Sequence, residues 1–443
     1  MAPTCAPSTC RRCGASCWAT APAWPDAAGR AGCRPPPIIR PMNPLLDRLQ
    51  PYPFERLRQL FAGVTPSPAY SPISLGIGEP KHPTPPFIKQ ALIEGLDSLS
   101  GYPATAGDLK LRTAFTNWLS KRYGLALDPA TQVLPVNGSR EALFALAQTV
   151  VDSSRTPRPI VVSPNPFYQI YEGSTLLAGA DVWYAPSDPA RNFAVDWDSV
   201  PAEVWQRTQL VYVCSPGNPT GAVMPLDEWR KLFALSDEHG FVIASDECYS
   251  EIYFRDEPPL GGLEAAAKLG RDFRRLIALT SLSKRSNVPG LRSGFVAGDA
   301  EIIKRFLLYR TYHGSAMSGL VAAASIAAWA DETHVVDNRE QYRRKFAAVT
   351  PILEPVLDVR LPDASFYLWA GVPAAWNGDD AAFARALYAQ YNVTVLPGSY
   401  LAREAQGSNP GRGRVRMALV ADTAECTEAA RRIAEFATQA PSA

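Results

Sequence analysis

Between residues 133 and 280 the chain alternates short, unbroken apolar runs with longer stretches in which apolar positions recur every three or four residues. The runs VLPV (133–136), IVVS (160–163), LVYVC (210–214), FVIAS (241–245) and LIALT (276–280) are apolar and too short for helices. They predict strands buried on both faces. The intervening segments, from about 140, 169 and 225, carry the helical period. Strands that alternate with helices predict an α/β fold with a largely parallel sheet covered on both sides. Upstream, Leu57, Leu60 and Phe61 share one helical face that ends at Gly63. Pro66, Pro68 and Pro72 then keep the chain extended as far as a short strand or turn, ISLGIGEP. Downstream, a helical stretch from about 301 to 354 precedes VRL, FYLWAGV, VTVLPGS and GRVRMALV, read as strands of a smaller domain with helices at 379–390 and 422–438.

Residues 1–41 follow neither period and are crowded with Pro and Ala. They hold five of the eight cysteines. Cys10, Cys13 and Cys17 have spacing that can bind zinc, but no second well-spaced pair follows and Cys33 is distant, so no metal is expected. A continuous apolar core of a secretory signal is absent. The segment reads as a disordered head, or as an extension upstream of a start at Met42. The 443 residues exceed what one core usually serves, so two domains are expected. A net charge of +1 gives no pull toward nucleic acid or an anionic membrane. With 47% hydrophobic and 20% charged residues, and no apolar run of bilayer-spanning length, the expectation is a soluble cytoplasmic protein without a membrane partner.

In a parallel sheet, ligands gather beyond the carboxyl ends of the strands. Gly138, Ser139 and Arg140 follow the first apolar run and open a helix whose free N–H groups can hold a phosphate, although Gly-Ser is also an ordinary helix cap. Tyr168 follows the second run and can cover a planar ring, or simply pack. Asn218 sits among turn formers in SPGNPTG after the third, placed to meet a ligand oxygen. Asp246 ends the fourth, where a buried carboxylate needs a cation, and Tyr249 lies one turn on. After the fifth comes TSLSKRSNVPGLRSGF, with Ser281, Lys284 and, eight positions later, Arg292. Alone, that lysine could belong to a surface loop. Together, an anion cup, an aromatic plate, an oxygen partner, a buried acid and a lysine match the functional groups of pyridoxal 5′-phosphate.

Residues 42–443 resemble the fold-type I, class I/II aminotransferases, with LGIGEPKHPTP, VLPVNGSREALFALAQ, SPNPFYQIYEG, CSPGNPTGAV, SDECYSEIYF and SLSKRSNVPGLRSGF in the family's order. Within that family the likeness is greatest to the proteobacterial succinyldiaminopimelate transaminases. The resemblance implies a large domain with a mostly parallel seven-stranded sheet (81–315), a small domain (316–443) and an arm at 42–80. It implies a cofactor anchored on Lys284, with its phosphate held by Arg292, Ser281 and the N–H groups of Ser139 and Arg140. Asp246 would face the ring nitrogen, Asn218 and Tyr249 the phenolic oxygen, and Tyr168 the ring. Tyr102, in GYPATAG, would reach the phosphate of a second subunit, implying a homodimer. Arg416, in RVRMAL, would pair with the substrate carboxylate, and Gly78 would let its backbone approach the substrate. The expected reaction passes an amino group from glutamate to N-succinyl-2-amino-6-oxopimelate; a broader aromatic or dicarboxylate aminotransferase or a lyase are the alternatives. A ligand-sensing regulator would need a DNA-binding head, and residues 1–41 carry no helix-turn-helix pattern. Where many relatives read GEPDF this chain reads GEPKHP, so Lys81 or His82 is a candidate for distal carboxylates, or a charged rim. Arg285 has no assigned role.

Overall fold

The apolar runs do become strands, and their alternation with helices sets the architecture. The computed structural model describes residues 42–439. The cysteine-rich segment 1–41, with its zinc and extension readings, lies outside the described residues. In chain order the strands are β1 (Ile73–Ser74), β2 (Val133–Val136), β3 (Ile160–Asn165), β4 (Asp181–Asp188), β5 (Ala194–Val195), β6 (Thr208–Cys214), β7 (Val242–Asp246), β8 (Leu276–Ser281), β9 (Gly294–Gly298), β10 (Tyr367–Gly371), β11 (Val393–Thr394), β12 (Leu396–Pro397) and β13 (Arg414–Ala418). Eight of them form the large sheet in the order β2-β9-β8-β7-β6-β3-β4-β5. The run from β4 through β3, β6 and β7 to β8 is parallel. β9 is antiparallel to both β8 and β2. The strand beyond the expected seven is β5, a two-residue antiparallel edge paired with the end of β4.

Both faces of this sheet are buried, which is why its strands read as continuous apolar runs. On one face Val162, Val211, Ile243, Leu276 and Phe295 pack with the helices Leu109–Tyr123 and Gly319–Ala330. On the other, Val161, Leu210, Ala244, Ile277 and Val296 pack with Leu143 and Leu146 of Ser139–Val150 and Phe306 of Ala300–His313. A smaller sheet, β10-β13-β12, has its own core, where Leu368, Val415 and Met417 meet Phe346, Phe383 and Ile433. Ile73 and Leu75 of the arm join that core, and β1 pairs in parallel with β11. From Leu45 onward the chain forms one compact unit.

Several expectations are corrected. The helical stretch 301–354 is three helices, Ala300–His313, Gly319–Ala330 and Thr333–Leu353. Gly314, left-handed at φ 82°, caps the first of them. VRL (359–361) is not a strand; only Asp358 bridges to Gly371 there. VTVLPGS supplies two strands of two residues each, β11 and β12, which pair with different sheets. Among the parallel strands, β4 lacked a signal because most of its residues are only half-buried. β9 was hidden by its bracketing glycines, which the packing requires. A Cβ on Gly294 would lie 2.4 Å from the Thr280 carbonyl oxygen, and one on Gly298 2.0 Å from that of Leu276.

Candidate active site

At the carboxyl ends of β3, β6, β7 and β8 lies a cavity of about 520 Å³. Of the residues predicted from sequence, Gly78, Ser139, Arg140, Tyr168, Asn218, Asp246, Tyr249, Ser281, Lys284, Arg292 and Arg416 all line it. Gly138 lies behind Arg292. Tyr102 is the exception, fully exposed at 105% and outside the cavity.

One end of the cavity is built for an anion. Gly138 takes φ 85° and offers no side chain to cap the helix Ser139–Val150, leaving the first-turn N–H groups open. A Cβ there would sit 2.2 Å from Arg292 Nη2, so glycine lets the guanidinium close over the helix start. Arg292, itself left-handed at φ 52°, is held by the carbonyl oxygens of Pro289 (2.9 Å) and Asn137 (3.3 Å). Between the two serines lies a thiol: Cys248 Sγ is 2.9 Å from Ser139 Oγ and 3.9 Å from Ser281 Oγ. Arg140 donates from Nε to the Tyr168 hydroxyl at 2.6 Å.

Deeper in, Asp246 is 5% exposed, and its hydrogen-bond donors are neutral, the Tyr171 hydroxyl (2.7 Å) and the Cys248 amide (3.4 Å). Burial therefore raises its pKa above the usual carboxylate value. A cation brought against it would reverse that shift. Lys284 follows β8 on the short helix Leu282–Arg285, and its Nζ donates to the Gly78 carbonyl at 2.9 Å. Burial, reinforced by the charges of Arg416 and Arg140, lowers its pKa to about 8. The free amine is thus reached near pH 8 rather than near pH 10, closer to the range where it can act as a nucleophile.

The far wall comes from the small sheet. Arg416, in β13, donates to Asn218 Oδ1 and to the Gly76 carbonyl, each at 3.0 Å. Its guanidinium lies 4.3 Å from the Tyr367 ring centroid, and its Nε is buried without a hydrogen-bond partner. A guanidinium that lines the cavity and meets only neutral oxygens fits a carboxylate guest. Tyr249 shares a 3.1 Å hydrogen bond with Tyr367. Tyr171, Tyr367 and Cys248 are the residues that sequence reasoning missed. Each lies inside or beside a quoted motif, but only the contacts across the cavity single them out.

Lys81 and His82 do not meet the expectation of a distal-carboxylate site, since neither lines the cavity. Lys81 lies 3.9 Å from Glu425, while His82 packs against the helix Thr333–Leu353. Arg285 is 2% exposed and braces the fold, bonding the Ala328 carbonyl at 2.8 Å and Glu332 at 2.6 Å.

An anion cup closed over a glycine, a buried acid, a buried amine and a guanidinium without an acidic partner fit pyridoxal 5′-phosphate with an amino-acid substrate. The chain matches the family described as aminotransferase class I and II over residues 70–433 and belongs to it. Enzymes of this family use pyridoxal 5′-phosphate. An aminotransferase from Neisseria meningitidis Z2491 is 57% identical in sequence and superposes with a TM-score of 0.86, covering 89% of this chain and 99% of that one. The LL-diaminopimelate aminotransferase of Nitratidesulfovibrio vulgaris is 32% identical over 396 residues, 88% of this chain and 98% of its own length. A probable N-succinyldiaminopimelate aminotransferase from Thermus thermophilus is 26% identical with a TM-score of 0.76, covering 87% of this chain and all of that one (100%). Among the described residues no helix is long and apolar enough to cross a membrane.

Proposed function

We propose that this aminotransferase acts on a diaminopimelate-type acid in lysine biosynthesis, passing an amino group from glutamate to N-succinyl-2-amino-6-oxopimelate. The observation that carries the amino-acid site is Arg416, which lines the cavity beside Asn218 with no acidic partner among its hydrogen bonds. Bound pyridoxal 5′-phosphate supplies the electron sink for a carbanion at the substrate α-carbon. Lys284 anchors the cofactor and, once released as a free amine, moves the α-proton as general acid and base. Asp246 keeps the ring nitrogen protonated, and Asn218 and Tyr249 hold the phenolic oxygen. Arg292, Ser281 and the amides of Ser139 and Arg140 grip the phosphate, with Gly138 leaving room for Arg292. Tyr168 covers the ring. Arg416 takes the α-carboxylate through its planar fork, and Gly78 brings backbone close to the substrate. Tyr102 completes the phosphate site of a second copy, in a homodimer.

The acceptor assignment is supported by motif likeness and by the Thermus relative. Free LL-diaminopimelate is the second reading, favoured by the name of the curated relative. Initial rates with 2-oxoglutarate and N-succinyl-LL-diaminopimelate, free LL-diaminopimelate or aromatic amino acids separate the readings. A higher kcat/KM for the succinylated donor is expected; preference for the free acid would replace the succinyl assignment. Arg416→Lys should lower kcat/KM for every amino donor by about tenfold or more, as a bidentate pair becomes a single contact.

A further inference from the structure

The GEPKHP segment carries Gly78 at its start and His82 near its end, and both reach the loop that bears Lys284. Gly78 does so directly, through its carbonyl on Lys284 Nζ at 2.9 Å. His82 does so through one asparagine. Its Nδ1 lies 2.7 Å from Asn338 Oδ1, while its Nε2 lies 2.6 Å from Lys345 Nζ. Asn338 is 2% exposed and uses all its hydrogen-bonding capacity. Oδ1 also accepts from Asn287 Nδ2 at 2.9 Å, and Nδ2 donates to the carbonyls of Lys284 (3.2 Å) and Arg285 (3.4 Å).

This closed set fixes the histidine tautomer. Two carbonyls demand the amide nitrogen, so Asn338 presents oxygen to the ring, and His82 must donate from Nδ1. Nε2 then accepts from the Lys345 ammonium. Burial and the Lys345 charge favour the same neutral ring, lowering the His82 pKa. Thr84 adds a bond from the same segment to the Asn287 carbonyl at 3.1 Å.

We propose that His82 is a positioning residue for the cofactor lysine, locking the segment 78–84, whose Gly78 and Glu79 line the cavity, to the backbone around Lys284 through Asn338. The inference rests on Lys284 being the anchor. Its chemical consequence is that the Gly78 carbonyl and the Lys284 amine move as one body.

A neighbouring relay looks like hydrolytic machinery but has a different job. His334 lies 2.8 Å from Ser286 Oγ and 2.6 Å from Asp331 Oδ1, the order of a serine-histidine-aspartate triad. Ser286, however, is 0% exposed and its oxygen accepts from Arg285 at 3.2 Å. No substrate reaches it. It braces the same loop from the other side.

Two isosteric substitutions separate the contacts of the ring. His82→Asn places an amide nitrogen near the Nδ1 position and keeps Asn338; His82→Gln reaches the Nε2 position and keeps Lys345. In the full-length, cofactor-loaded enzyme His82→Asn should stay within about twofold of the parent in kcat/KM and in amide exchange over residues 284–287. His82→Gln should lose about tenfold in kcat/KM, the effect of one buried hydrogen bond, and exchange about tenfold faster. The pH midpoint of the bound cofactor's absorbance should move by about half a unit or more in the Gln variant alone. Parental behaviour of His82→Gln, or equal loss in both variants, would overturn the proposal. Should His82→Gln not fold, His82→Phe, which keeps the ring against Tyr342 and removes the Nδ1 donor, must still speed exchange at 284–287 severalfold; unchanged exchange overturns it equally. Borohydride reduction and peptide mass mapping check the anchor separately, because a label on a residue other than Lys284 refutes the functional reading whatever His82 does.

Discussion

At the residue scale, the chemistry rests on side chains whose environment is set by burial. The Lys284 amine, with its pKa lowered to about 8, is the clearest case. Below that pH the folded protein holds the ammonium, and above it the free amine. Capture of an aromatic aldehyde by the cofactor-free protein should therefore speed up about tenfold per pH unit below 8 and level off above it, whereas an unperturbed lysine would keep accelerating toward pH 10. Stopped-flow absorbance over pH 6 to 10 measures this, with Lys284→Ala as the blank. Lys284, Asp246 and Asn218 were legible because each follows an apolar strand, where a polar residue has to answer to a ligand. Arg416 was legible through the RVRMAL motif. Tyr171 and Tyr367 were not, since each acts through a partner distant in sequence. The Tyr249 to Tyr367 bond spans 118 positions and that of Tyr171 to Asp246 spans 75.

Among the elements, β9 shows how packing overrides local pattern. Its glycines weaken any strand signal, yet the strand must pass within a Cβ radius of the β8 backbone. Gly298 adds a positive φ of 143°. Gly298→Ala should therefore cost about 1–3 kcal/mol or more, read as a lower urea midpoint with little change in the slope. The same substitution at solvent-facing Gly124, which also has positive φ but no neighbour within 4 Å, should cost less. The start of the helix Ser139–Val150 obeys similar logic. Gly138 is needed there for Arg292 rather than for the helix.

For the molecule as a whole, the described surface includes apolar side chains grouped in sequence. Ile93 (60%), Leu96 (50%), Leu99 (67%), Tyr102 (105%) and Leu109 (53%) are exposed within one stretch. Such a stretch fits burial against another copy, which would carry Tyr102 to the phosphate cup of its neighbour. Mixing two inactive variants tests this. Tyr102→Ala combined with Lys284→Ala, unfolded and refolded together, should regain roughly a quarter of parental activity, because half of the dimers are hybrids with one complete site each. No recovery in mixtures that sediment as dimers would place Tyr102 outside the partner's site.

The sequence by itself determined the class of fold, the cofactor and most of the residues that line the cavity. Buried parallel strands leave an unmistakable apolar rhythm, and ligand-binding residues sit at its breaks. Tertiary structure alone decided which of those residues touch. It paired Arg416 with Asn218, kept His82 out of the cavity lining, and gave Arg285 a brace instead of chemistry. Such choices depend on contacts between segments far apart in the chain, where burial and hydrogen-bond geometry are set by packing and leave no local pattern to read.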